Sequence, residues 1–115
     1  MNIEILRDFC ISKKSVEETF PFGETTLVFK VCGKMFCLIG LDEPTSCNLK
    51  CDPERAIELR QKYNAVNPGF HMNKTHWNTI TFNQDLPDKE ILELIEHSYN
   101  LVVQSLPKKL RESLS

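Results

Sequence analysis

The side chains with the most chemistry to offer in this 115-residue chain are three histidines, five cysteines, one tryptophan and a scatter of lysines, unevenly spread. His71, Lys74, His76, Trp77 and Asn78 fall in one short run. Cations pair with phosphate and an indole stacks on a base, so this run suits a nucleic-acid surface if Lys30 and Lys50 lie beside it. The same residues could anchor a protein partner or a small ligand, because tryptophan is a frequent interface anchor. Salt separates the two cases, since phosphate contacts release counterions and apolar contacts do not.

Other chemistries find less support. His71 and His76 lie five apart, His97 is distant, and Cys47 and Cys51 show only a C-x₃-C spacing. A tetrahedral zinc site needs three or four ligands, so no metal is expected. No nucleophile motif surrounds a cysteine or serine, and the four glycines are isolated rather than gathered into a phosphate-cradling loop. The chain therefore reads as no enzyme, with no cofactor.

Charge narrows the partners. The net charge of -2 excludes a uniformly basic coat protein. Residues 50–74 alone are basic, with Lys50, Arg55, Arg60, Lys62 and Lys74 against Asp52, Glu54 and Glu58; the segments on either side are acidic. So small an excess supports only weak phosphate binding. No apolar run approaches the roughly 20 residues of a membrane span, and Glu4, Arg7 and Asp8 interrupt what would be a secretory signal. Five cysteines, Cys10, Cys32, Cys37, Cys47 and Cys51, are an odd set mostly in apolar company, which fits reduced thiols in a cytoplasmic monomer.

The elements that must position these side chains can be drawn from periodicity. Ile3, Leu6 and Cys10 mark a helix over 2–12, and Phe20-Pro21-Phe22-Gly23 a turn. Thr25–Val31 and Met35–Leu41 read as a hairpin around Gly33, and Thr45–Cys51 as a strand burying Cys47 and Leu49. Asp52 and Pro53 start a second helix. Asn64–Phe70 is a loop, His71–Lys74 a short strand or arm, and His76–Phe82 a strand that turns Ile80 and Phe82 inward. A long helix runs from about Pro87 to Leu106, with Ser98 on its buried stripe and His97 facing solvent, and Lys108–Ser115 forms an amphipathic tail. Lys30, Ser46, Asn48, Lys50, Trp77, Thr79 and Thr81 then share the open sheet face. The expected architecture is one α+β domain, 1–115, a two-layer sandwich with helices on one face of an antiparallel sheet.

Pro21-Phe22-Gly23, Gly33-Lys34-Met35-Phe36, Leu49-Lys50-Cys51-Asp52-Pro53, His71-Met72-Asn73-Lys74 with His76-Trp77-Asn78-Thr79, and Leu106-Pro107-Lys108-Lys109 follow one another in an order that resembles the MmcQ/YjbR family. The resemblance implies small bacterial cytoplasmic proteins with a CyaY/frataxin-like fold, described as DNA-binding from a double-wing arrangement of strands. Frataxin relatives bind iron through an acidic ridge; the first helix here offers only Glu4 and Asp8, so iron binding is not carried over. The combined expectation is a weak, non-catalytic DNA-binding or regulatory protein using the open sheet face and the 71–79 segment. The alternative is a small-ligand or protein-interaction module on the same surface.

Overall fold

A computed structural model describes residues 1–114; Ser115, at the end of the expected tail, lies outside them. The elements run α1 (Ile3–Ile11), β1 (Val16–Thr19), β2 (Thr26–Val31), β3 (Lys34–Gly40), β4 (Ser46–Lys50), α2 (Pro53–Lys62), β5 (Val66–Pro68), β6 (Trp77–Thr81), α3 (Asp88–Gln104) and α4 (Lys108–Ser113). The strands make one antiparallel sheet in the order β1-β2-β3-β4-β6-β5. Its core side is packed by α1 and α3, giving the expected α+β sandwich.

Local chemistry accounts for the boundaries. Asn2 caps α1 by accepting from the Ile5 N–H at 2.9 Å, and Asp52 caps α2 by accepting from Arg55 N–H at 3.1 Å, with Pro53 at the first helical position. The β2–β3 hairpin turns on Cys32 and Gly33, whose φ values of 48° and 82° are the positive pair that a two-residue hairpin loop requires. Beyond it the register shifts: Phe29 pairs with Cys37 but Lys30 with Met35. This bulge lets consecutive Phe36 and Cys37 both bury on the helix side. Phe36 stacks edge-on against Tyr99 of α3, ring centroids 5.4 Å apart.

Ser98 joins the layers. Its hydroxyl donates to Phe36 C=O at 2.6 Å and accepts from Lys50 N–H at 2.9 Å, so α3 is bonded to β3 and β4 at once. Ser98 is fully buried, which makes those bonds necessary, because an unpaired hydroxyl there would be costly.

Several expectations are corrected. Val16–Thr19 is a strand, not part of a connection, and pairs with β2. Val66–Pro68, expected as loop, is a short edge strand on β6. His71–Lys74 is neither strand nor extended arm but part of a turn. His97 does not face solvent freely: it is half-buried and its Nε2 accepts from Asp52 N–H at 3.2 Å. Burial and, after it, the nearby Arg55 hold its pKa below the usual histidine value.

Candidate functional site

Strand parity puts Val28, Leu38, Asn48 and Thr79 side by side on the sheet face away from α1 and α3, because Val28 pairs with Leu38, Leu38 with Asn48 and Asn48 with Thr79. At one end of this face Glu17 pairs with Lys30, Lys30 with Met35, and Lys50 with Trp77. At the other end Thr26 pairs with Gly40 and Ser46 with Thr81. Lys30, Lys50 and Trp77 thus share the face expected of them.

That face is not open. The connection between β5 and β6 folds back across it, and Met72 packs with Met35 on a second small core of Val28, Leu38 and Trp77. Trp77 is only 9% exposed. A base has no free indole face of the expected kind to stack on, which corrects that role for Trp77.

The fold-back turn is held at many points. Gly69 N–H donates to Trp77 C=O at 2.8 Å, Met72 N–H to Gly69 C=O at 3.2 Å, and Trp77 N–H to Asn73 C=O at 3.0 Å. Lys74, expected on phosphate, donates its ammonium to Gly69 C=O at 2.8 Å. Asn73 Oδ1 accepts from the N–H groups of Thr75 and His76. Gly69 has no room for a side chain, since a Cβ there would lie 2.8 Å from Trp77 Cβ and 2.9 Å from its carbonyl oxygen.

Asn78 belongs to a different surface. As Trp77's neighbour in a strand it points to the helix side, where it is 2% exposed and its Oδ1 accepts from Arg60 Nε at 2.7 Å. The same guanidinium donates to the carbonyls of Lys74 and Trp77. The grouping of Asn78 with Lys74, His76 and Trp77 as ligand contacts is corrected accordingly: Asn78 fixes the base of the turn. His76 is exposed on that turn, and its carbonyl accepts from Cys51 N–H at 2.8 Å.

Between the turn and the β1–β2 connection lies a groove of about 770 Å³. Leu38, Thr26, Gly40, Ser46, Asn48 and Thr79 contribute to its floor, Phe22 comes from the β1–β2 connection, and Phe70, His71 and Met72 from the turn. Phe22 and Phe70 are 63% and 67% exposed. Thr79 Oγ1 donates to Asn48 Oδ1 and accepts from Phe70 N–H at 2.8 Å, which seats Phe70 on the floor. His71, the one expected site residue in the groove, stacks against Phe70 with centroids 4.0 Å apart and adopts a φ of 59°. Among the described residues no lysine, arginine, aspartate or glutamate lines the groove.

The two aromatic walls were not among the residues singled out for chemistry. The signal was present: Phe22 stands between Pro21 and Gly23, and Phe70 follows Pro68-Gly69, turn positions with no apolar periodicity to absorb a ring. Among the described residues no three of His, Cys, Asp and Glu cluster so as to hold a metal. All five cysteines are free, Cys10, Cys37, Cys47 and Cys51 buried and Cys32 half-buried. Burial pushes the Cys51 thiol up to about 11, opposite to what a nucleophile needs.

The chain is similar in sequence and in overall fold to known proteins. It is 32% identical over 115 residues to YjbR of Escherichia coli K12, covering 99% of this chain and 98% of that one. It is 39% identical over 95 residues to YbdF of Escherichia coli O157:H7, covering 82% and 78%. Both relatives are described as uncharacterised. Among solved structures, a Deinococcus radiodurans protein with the DUF419 domain superposes with a TM-score of 0.91 at 39% identity, covering 98% of this chain and 87% of that one. A Pseudomonas syringae protein superposes at 0.73 and 31% identity, covering 88% and 98%. The family model for YjbR matches residues 11–101, from the end of α1 into α3, and the chain belongs to the YjbR family.

Proposed function

We propose that this protein is a non-catalytic binding module whose ligand site is the groove on the sheet face opposite α1 and α3. One observation carries the proposal: two phenylalanines more than 60% exposed flank a concave, mostly apolar space of about 770 Å³. Such volumes and linings are typical of small-molecule sites. Isolated exposed aromatics need no explanation, but two that converge on one groove do. The wall is also preorganised, since the bonds through Gly69, Asn73, Lys74 and Thr79 fix the turn before any ligand arrives. The scaffold resides in the 69–79 run, where Lys74, Trp77 and Asn78 hold the wall in place while His71 lines the groove beside Phe70.

The five free thiols fit a reducing compartment, in keeping with a cytoplasmic protein. No helix among the described residues is long and apolar enough to cross a membrane.

Weak DNA binding keeps one observation in its favour, the projection of Lys30 and Lys50 from the same end of the sheet face. Lys30 stands opposite Glu17, however, and among the described residues no lysine or arginine lines the groove to meet a phosphate. Binding of 1-naphthol tests the groove directly. Phe22→Ala combined with Phe70→Ala, at exposed positions whose loss leaves the core intact, is expected to weaken it about tenfold, the effect of removing two aromatic contacts. Unchanged affinity in that double variant would remove the groove as the site.

A further inference from the structure

Given the groove binding proposed above, we infer that its ligand is an organic cation, with an aromatic or alicyclic body and a protonated amine at one end. Groove polarity is lopsided. Toward the turn, the polar floor atoms are already committed, because Asn48 and Thr79 bond each other and Phe70. At the opposite end the hydroxyls of Thr26 and Ser46 make no hydrogen bond among the described residues. These are the free polar groups on the floor, and both can accept.

The segments flanking the same end, outside the groove lining itself, carry three carboxylates, Glu24, Asp42 and Glu43. Leu41 N–H donates to Thr25 C=O at 2.7 Å, which ties the segment bearing Glu24 to the segment bearing Asp42 and Glu43. All three carboxylates are exposed and form no ion pair among the described residues. Between Phe20 and Leu49 the only cations are Lys30 and Lys34, and both lie toward the opposite end of the hairpin. An ammonium group brings three donors and a positive charge to a place that offers free acceptors and negative potential. The exposed rings of Phe22 and Phe70 on the same groove add attraction for a cation that comes within reach of a ring face. A carboxylate or phosphate at this position would meet like charge instead.

Three probes of matched shape test the inference on the full ¹⁵N-labelled chain at low salt: 2-phenylethylammonium, 2-phenylethanol and phenylacetate. The ammonium is expected to bind about three- to tenfold more tightly than the alcohol, the scale of a few screened surface charges, and phenylacetate most weakly. Glu24→Gln, Asp42→Asn and Glu43→Gln combined should bring the ammonium down to the alcohol's affinity and leave the alcohol unchanged. If the alcohol shifts the groove amides but the ammonium binds no better, or keeps its advantage in the triple variant, the cation assignment falls and groove binding stands. If no probe shifts the amides of Thr26, Leu38, Ser46 or Phe70, groove binding fails and the cation assignment with it.

Discussion

Arg60 of α2 and Asn78 of β6 form the joint on which the groove wall rests. Arg60 Nε donates to Asn78 Oδ1 at 2.7 Å, while the other arm of the same guanidinium reaches the carbonyls of Lys74 and Trp77 at the foot of the fold-back turn. One side chain thereby couples the helix side of the sheet to a turn that covers the opposite side. Asn78 Nδ2 is buried with no hydrogen-bond partner among the described residues, so there the carbonyl oxygen's bond to Arg60 is the side-chain amide's one satisfied contact.

Arg60→Ala should therefore destabilise the chain by about 1–3 kcal/mol, the cost of leaving buried polar groups unpaired. It should also speed hydrogen exchange at the amides of Gly69, Met72 and Trp77. Arg60→Lys should rescue little, because a point-charge ammonium cannot replace the fork. Unaltered exchange in the turn would show that the clamp holds nothing.

Gly69→Ala is a sharper test of the turn. A Cβ would meet Trp77 Cβ at 2.8 Å and its carbonyl oxygen at 2.9 Å, and the second of these is backbone that cannot swing away. The expected loss is about 1–3 kcal/mol with a displaced turn, as for overpacking. Denaturant melts showing wild-type stability would contradict the close approach of these two residues.

In α3, Leu94 and Ile95 are buried on the sheet while Glu93 is exposed. Leu94→Ala and Ile95→Ala should each cost about 2–5 kcal/mol, and Glu93→Ala under about 0.5 kcal/mol. Melts placing the three variants at one level would misplace the helix face.

His97 makes stability depend on pH. Burial and Arg55 lower its pKa, so the folded chain binds its proton less readily than the unfolded chain does. Its contribution is full above the ordinary histidine pKa of about 6.5 and is lost as pH falls below that value. Protonation also removes the acceptor that Asp52 N–H uses, although Asp52's own carboxylate partly offsets the effect of Arg55. Unfolding free energy should fall between about pH 7 and pH 5, and His97→Gln should flatten that slope. An equal slope in the variant would assign the pH dependence to other groups.

How much of this could be read from the sequence depended on the range of the interactions. The start of α2 was legible because Asp52 and Pro53 act on their immediate neighbours. So was the parity of Cys47, Leu49 and Ile80, which alternation alone dictates. Strand β1 was hidden because adjacent Glu17 and Glu18 mask its period, and pairing with β2 makes it a strand. Strand β5 is three residues long and ends in proline. Trp77 lay on the expected face, but its burial comes from Met72 and from strands β2 and β3, contacts with no local signature. For the same reason the placement of Phe22 and Phe70 on one groove, although they are far apart in sequence, became visible only in the fold.

Groove binding is tested most directly by shift mapping on the ¹⁵N-labelled chain, titrated with 1-naphthol and, separately, with a single-stranded oligonucleotide at low salt. Naphthol shifts are expected to cluster on Phe22, Thr26, Leu38, Ser46, Phe70, His71 and Met72, with the oligonucleotide leaving those amides unmoved. Naphthol shifts absent from the groove, together with salt-sensitive oligonucleotide shifts centred on Lys30 and Lys50, would contradict it and move the site to the lysine end of the sheet.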